Sequence, residues 1–204
     1  DLILRSIVAE LKQLGALPFI IPAMGSHGGG TADGQRRIIE SCGITEERIG
    51  CPIKATMETV CVGYSPEGHE VHVDKYANDA DGIIIIGKIR PHSGFSGEYE
   101  SGLMKMMTIG LGKQHGAAIC HNAGARYLAK YIPMFANVIL NKCNILFGVG
   151  ILENAYHKTC MIQMIPARDI PQEEPKLLQK AYSLLPRILF KNIAQKYKFL
   201  DLKL

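Results

Sequence analysis

The sequence lacks cysteine pairs at the spacings of zinc fingers or ribbons, although it contains six cysteines among 204 residues. They are spread along the chain with no C-x-x-C pair, which argues against a structural zinc module and a dithiol redox motif. Most of them stand beside apolar residues, as in ETVCVGY and NKCNILFGV, so we predict reduced, buried thiols. The set comprises Cys42, Cys51, Cys61, Cys120, Cys143 and Cys160.

The chain also lacks long apolar runs, a secretory leader and a basic stripe interleaved with aromatic residues. No apolar stretch approaches the roughly 20 residues of a membrane span. The opening segment, DLILRSIVAELKQLG, has neither the charged start nor the cleavage site of a signal peptide. The net charge of +4 reflects a mixed surface, and the basic tail from Arg187 to Leu204 carries no nucleic-acid signature. We therefore expect a cytoplasmic protein with neither a membrane nor a nucleic-acid partner.

What is present is an alternation of strand and helix patterns typical of an α/β fold. We predict a largely parallel sheet with helices on both faces, plus a β-hairpin insertion whose turn is SPEG. LPFIIPA and ADGIIIIGKIRP read as buried strands, NILFGVGILENA as an apolar strand and KTCMIQMIPA as an edge strand. ARYLAKYIPMFANVILNK reads as one or two helices around Pro133, and PQEEPKLLQKAYSLLPRI as a helix that Pro186 ends.

Two histidines follow predicted strands, at the sheet edge where α/β proteins bind ligands. His27 follows PFIIPA within the glycine-rich segment MGSHGGG, which resembles neither the P-loop nor the dinucleotide fingerprint. His92 follows Pro91, which stops the branched run, so we expect it at the end of a central strand, where acid or base groups are found. For each, a plain turn or cap histidine is the alternative.

Lys105 lies in the apolar run LMKMMTIGL, with His121 farther along the chain. A lysine in such a run either extends its ammonium to water or is desolvated enough to act as a nucleophile, and the residues alone favour neither. His121 suits a metal by its chemistry, but a lone histidine without spaced partners is usually no ligand. His69 and His72, in the predicted hairpin, are expected to be surface residues on opposite faces.

Three segments together resemble the lactate racemase family, specifically its enzymes that use a nickel-pincer nucleotide. They are MGSHGGGTADGQ, KIRPHSGFSGEYESGLMKMMTIGLGKQHGA and the CH pair at 120–121. The resemblance implies that Lys105, preceded by Ser101 and Gly102, attaches the cofactor and that His121 binds its nickel. It further implies that His27 and His92 alternate as acid and base while the α-hydrogen of a 2-hydroxy acid moves as hydride to the cofactor. The expected activity is racemisation or epimerisation.

The sequence departs from that family in ways that affect the expectation. The loop SGFSGEYE, between His92 and Ser101, is longer and more acidic than in the lactate enzymes, which leaves the hydroxy acid open. We expect a fragment: residues 1–190 as a cofactor-bearing domain whose start is missing, residues 191–204 as a truncated basic tail, and a second domain absent. Two alternatives stay open, a non-catalytic remnant and a zinc hydrolase using His27, His92 and His121. A homo-oligomer also stays open.

Overall fold

A computed structural model describes residues 1–186, so the predicted tail at 191–204 lies outside the described residues. Eight helices and five strands alternate along this part, joined by short 3-10 turns. The helices are α1 (Leu2–Gln13), α2 (Ala32–Ser41), α3 (Glu46–Ile49), α4 (Lys75–Asn78), α5 (Leu103–Lys105), α6 (Lys113–Asn122), α7 (Ala125–Lys142) and α8 (Ile170–Leu184). The strands are β1 (Thr59–Tyr64), β2 (Glu70–Asp74), β3 (Ile83–Lys88), β4 (Ile145–Glu153) and β5 (Thr159–Pro166).

The α/β class and the hairpin insertion are confirmed. Strands β1 and β2 pair antiparallel, and the SPEG turn is held by Ser65, whose Oγ accepts a hydrogen bond from the amide of His69 at 3.1 Å. Strands β3, β4 and β5 form a second sheet in that order. This sheet is mixed, with β3 parallel and β5 antiparallel to β4, where the sequence pattern predicts a largely parallel one. Among the described strands, β4 rather than β3 is therefore central.

Helices α5 and α8 pack on one face of this three-stranded sheet. Their point of closest approach is Gly148 of β4, where an added Cβ would meet Leu103 of α5 at 2.5 Å and Ile170 of α8 at 3.2 Å. On the opposite face, Ile162 and Met164 of β5 remain 52% and 67% exposed. The sequence pattern predicts helices on both faces of the sheet. In the described part of the chain we find them on the face that packs against α5 and α8.

The segment LPFIIPA is not a strand. Only a single parallel bridge forms there, between Ile20 and Ile53. Pro18 and Pro22 carry no amide hydrogen, so the segment cannot complete a ladder on either side of that bridge. Helix α7, by contrast, runs unbroken through Pro133, because its apolar face is buried along its length.

The helical region that starts at α5 runs through the main core. Leu103, Met104 and Met107 are completely buried. A π-helical turn, Met106–Leu111, directly follows α5, and Lys113 then has a φ of 54°, which separates this turn from α6. π-helical turns are rare and often occur at functional sites. Lys105, which directly precedes this turn, is therefore a candidate functional residue.

All six cysteines are free thiols, as predicted for a reduced protein. The prediction that they are buried is wrong for half of them, since Cys42, Cys61 and Cys160 are exposed. For Cys61 the reason is that it lies in β1, where successive side chains point to opposite sides, so that apolar neighbours in the sequence do not determine burial. None of the described helices combines the length and apolarity needed to cross a membrane.

Candidate functional site

The side chain of His27 is held by a contact with the backbone of its own loop. Its side chain is exposed, and Nδ1 lies 2.6 Å from the carbonyl oxygen of Met24. The chain then turns through Gly28, whose φ of +68° is readily adopted only by glycine, into helix α2. Thr31 caps that helix by accepting a hydrogen bond from the amide of Gly34 at 3.1 Å. The imidazole is thus presented from a defined turn.

His92 lies in a loop whose two ends are joined by backbone hydrogen bonds and whose interior is held by a buried carboxylate. Backbone hydrogen bonds join Arg90 and Ser101 in both directions, at 2.8 and 3.2 Å. The carboxylate of Glu100, which is 1% exposed, accepts hydrogen bonds from the amide of His92 at 2.6 Å and that of Gly97 at 3.2 Å. The loop closure brings His92 close to α5, which begins two residues after Ser101.

Lys105 is half-buried at the end of α5. Its ammonium lies 5.6 Å from the centre of the Phe95 ring, which also contacts the imidazole of His92 at a ring distance of 4.4 Å. Burial, and then the charge of Arg90, lower the pKa of Lys105 below its ordinary value. A larger fraction of this lysine is therefore a neutral amine near pH 7 than for a lysine in water.

The candidate residues interact with one another electrostatically. Burial, followed by the charge of Lys105, lowers the pKa of His92. Burial, followed by Lys105 and His27, lowers the pKa of His121, which is exposed on α6. Lys105 thus contributes to the lowered pKa of both His92 and His121, and His27 contributes to that of His121. Ser101 and Gly102 directly precede α5.

The two candidate acid–base histidines have opposite tautomers when neutral. The carbonyl oxygen near Nδ1 of His27 can only accept, so Nδ1 carries the proton and Nε2 keeps its lone pair. In His92, Nδ1 accepts a hydrogen bond from the amide of Gly94 at 3.0 Å, which leaves the proton on Nε2. Nε2 of His27 is therefore a hydrogen-bond acceptor, and Nε2 of His92 is a hydrogen-bond donor.

A buried lysine that sequence reasoning missed supports the loop of His27. Lys113 is inaccessible to solvent and forms an ion pair of 3.0 Å with Asp74, which is also inaccessible. Its ammonium also donates to the carbonyl of Pro22 at 2.5 Å and to Oε1 of Gln35 at 3.2 Å. The Gln35 amide in turn donates to the carbonyl oxygens of Gly25 and His27, at 2.7 and 3.3 Å. Nothing in GLGKQHG signals this burial.

Glu174 of α8 is the second residue that sequence reasoning missed, and it lies under α5. It is 1% exposed, and Oε2 accepts a hydrogen bond from the amide of Met104 at 2.9 Å. A Cβ on Gly102 would lie only 2.1 Å from Oε1, so glycine at this position admits the carboxylate. Burial raises the pKa of Glu174 to about 7. A sequence signal existed, because Glu174 shares the buried stripe of α8 with Ile170, Leu177, Leu178 and Ala181.

Glu174 should make the stability of the protein depend on pH. Between its ordinary pKa of 4.5 and about 7, only the folded chain holds the proton, so the free energy of unfolding should fall as pH rises through this range. The contribution is at most about 3 kcal/mol, since each pKa unit corresponds to about 1.4 kcal/mol. We expect Glu174→Gln to remove this slope in urea unfolding measured from pH 5 to pH 8.

The matched control for this change is Glu173→Gln. The Glu173 carboxylate, next to Glu174 in sequence, bonds Lys176 at the surface at 2.7 Å, and surface pairs of this kind contribute little. This control should keep the slope of the native chain. An unchanged slope in Glu174→Gln would show that the carboxyl titrates normally in the folded protein.

Comparison with known proteins agrees with the resemblance seen in the sequence. One solved structure similar to this chain is the lactate racemase apoprotein from Thermoanaerobacterium thermosaccharolyticum, at 16% identity and a TM-score of 0.49. The match covers 78% of this chain and 48% of that one, so the chain spans about half the length of that racemase. A search of curated proteins found no match. The model of the lactate racemase N-terminal domain matches residues 1–127, which is more than half of the chain, and the protein therefore belongs to this family.

Proposed function

We propose that this chain is the cofactor-bearing part of a racemase or epimerase of 2-hydroxy acids that uses a nickel-pincer nucleotide. The observation that carries the proposal is the approach of Lys105 and His92 to the same Phe95 ring, with the ammonium 5.6 Å and the imidazole centre 4.4 Å from the ring centre. The lowered pKa values of His92 and His121, to both of which Lys105 contributes, support adding His121 to this pair. Membership of the lactate racemase family supports the same reaction class.

The residues present suit the proposed cofactor. Lys105, with its lowered pKa, offers a nucleophilic amine for covalent attachment. His121 is exposed, and its lowered pKa keeps the imidazole neutral near pH 7, as nickel binding requires. Arg90, whose charge reaches both Lys105 and His92, adds positive potential for the phosphate of a nucleotide or the carboxylate of a substrate. When bound, the cofactor would supply a reversible acceptor for the α-hydrogen of the substrate as hydride.

The histidines would supply the proton transfers. With the tautomers of this structure, Nε2 of His27 would take the proton of the substrate hydroxyl and hold it as imidazolium until the proton returns to the oxygen of the product, while Nε2–H of neutral His92 would donate a hydrogen bond to the substrate oxygen from its other side. For the opposite enantiomer His92 would take the hydroxyl proton at Nε2, which requires its own proton to move to Nδ1 and Nδ1 to release the amide of Gly94. Inversion needs a proton-transfer group on each side of a planar carbon, and two histidines from separate loops meet that requirement. The partner of this site would be a small 2-hydroxy acid in the cytoplasm.

A zinc hydrolase is less well supported by the same geometry. Such a site commonly uses a carboxylate as a ligand or base, and Glu98 and Glu100 are the nearest in sequence. Both oxygens of Glu100 are already engaged, Oε2 by the amide of His92 and Oε1 by the amide of Gly97 and the hydroxyl of Tyr182 at 2.8 Å. Glu98 is exposed. The structure thus uses the buried carboxylate to hold the loop.

The test of the proposed function is covalent cofactor loading. The 204-residue chain would be produced together with enzymes that make the pincer nucleotide, and its intact mass and nickel content would be measured. We expect a mass increase with about one nickel per chain, and we expect Lys105→Ala to abolish the mass increase because no amine remains for attachment. His121→Ala should keep the covalent mass and lose most of the nickel.

Lys176→Ala is the matched control for lysine removal. This lysine is exposed on α8 and pairs with Glu173, so its loss should change neither mass increase nor nickel content. A native chain of unmodified mass with no nickel would overturn the cofactor assignment and favour the non-catalytic remnant. A loaded chain that fails to invert any hydroxy acid would separate cofactor binding from catalysis.

A further inference from the structure

A second cluster of metal-binding side chains lies outside the candidate site. It consists of Glu70 and His72 on β2 and His115 in the first turn of α6, and their ligand atoms lie within 4.8 Å of one another. Glu70 and His72 are two residues apart on a strand, so their side chains share one face. Glu70 and His115 are exposed and His72 is half-buried, so an ion could reach all three from solvent. His69 and His72, predicted to be surface residues, are both half-buried.

The backbone holds these elements in close contact. Helix α6 approaches β2 at Gly116, where an added Cβ would lie 3.5 Å from Cβ of His72. The imidazoles of His72 and His115 therefore meet nearly edge to face, with ring centres 4.2 Å apart. The 3.5 Å distance at Gly116 is that of ordinary van der Waals contact, so helix and strand pack directly against each other here. The two histidines are thus brought together by the fold rather than by flexible surface side chains.

His72 also has the supporting hydrogen bond that metal-binding histidines usually make. Its Nδ1 lies 3.1 Å from the hydroxyl of Thr59 on β1, and its Nε2 lies 3.0 Å from Oε2 of Glu70. In the present arrangement Nε2 donates to the carboxylate of Glu70 and Nδ1 accepts from the hydroxyl of Thr59. With an ion bound, the proton would lie on Nδ1 and be donated to the Thr59 hydroxyl, which would leave the lone pair of Nε2 for the ion. A cation between Nε2 and the Glu70 carboxylate would take the place of the direct contact that these two atoms make.

We propose that Glu70, His72 and His115 form a zinc site that links the β-hairpin to helix α6. Two imidazoles and one carboxylate are a common zinc ligand set, with water in the fourth position. Neighbouring ligand atoms of tetrahedral zinc lie about 3.3 Å apart, given zinc–ligand distances of about 2.0–2.1 Å. Because Glu70 is exposed, its carboxylate can make the small adjustment from the present arrangement. The site differs from the one at His121, which lies six residues farther along α6, about 9 Å along the helix axis.

The test is zinc titration of the full chain after removal of metals with a chelator, measured by calorimetry and by the shift in melting temperature. We expect about one zinc ion per chain and a higher melting temperature in its presence. His115→Ala should weaken zinc binding by at least tenfold, as should Glu70→Gln. Thr59→Val, which removes only the supporting hydroxyl, should weaken it by about tenfold.

The matched control is His121→Ala, which removes the other exposed histidine of the same helix. This variant should bind zinc as the native chain does. Zinc binding that is lost in His121→Ala and kept in His115→Ala would place the ion at the candidate cofactor site and overturn the proposal. Binding that neither variant changes, or the absence of stoichiometric binding, would overturn it as well. Circular dichroism of each variant would show that it is folded.

Discussion

Lys113→Met should lower the free energy of unfolding by about 3–5 kcal/mol, a large part of the stability of an ordinary domain. The change removes the positive partner of Asp74, which would remain inaccessible to solvent with an unpaired charge. It also leaves the carbonyl of Pro22 and Oε1 of Gln35 without their donor. Urea unfolding followed by circular dichroism would measure the loss.

A second variant separates the loss of the ion pair from the loss of packing. Lys113→Met combined with Asp74→Asn removes both charges, and the asparagine oxygen can still cap α4 by accepting from the amide of Ala77, as Oδ1 of Asp74 does at 3.2 Å. We expect this double variant to be more stable than Lys113→Met alone, because no isolated charge stays buried. Equal or lower stability of the double variant would show that the charge of Asp74 is not what makes Lys113→Met costly.

Gly34→Ala should destabilise the protein by about 1–3 kcal/mol, although alanine is normally the better helix residue by about 1 kcal/mol. An added Cβ would lie 1.9 Å from the carbonyl oxygen of Gly28 and 2.7 Å from Oγ1 of Thr31. Helix α2 and the loop of His27 would have to separate, because the nearest of these atoms belongs to the backbone. We expect lower cofactor loading as well as lower stability.

Gly29→Ala provides the matched comparison in the same loop. Gly29 has a φ of +68°, yet an added Cβ would meet nothing within 4 Å, so this variant carries only the conformational cost of about 1–2 kcal/mol. Unlike Gly29→Ala, Gly34→Ala should displace His27, and this displacement should be visible as a loss of cofactor loading. Native-like stability and loading of Gly34→Ala would show that helix and loop do not approach this closely in solution.

The local elements of this fold could be predicted because their causes lie within a few residues. SPEG between two alternating runs gave the hairpin, and the branched run before Gly87 gave β3. The sequence offered Thr31 or Asp33 as the cap of α2, and the structure uses Thr31, whose hydroxyl reaches an amide three residues later. LPFIIPA was predicted as a strand, but its prolines cannot donate to a ladder, and a single bridge formed.

The roles of Lys105, His121, His27 and His92 were implied by the resemblance to the lactate racemase family, and they stay predictions. The residues that support the candidate site were not predicted. The partners of Lys113 and Glu174 lie far away in the sequence, and a lysine or glutamate in an amphipathic segment reads as a surface residue until those partners are known.

The sequence by itself therefore determined the α/β class, the family and the residue types available for chemistry, since these depend on local pattern and on motif. Only the tertiary structure decided which charges are buried and which side chains meet. It placed Asp74 against Lys113, Glu174 under α5, and His115 beside His72. The physical reason is that burial and pKa depend on groups that approach only after the chain has folded, and no local pattern encodes those distances.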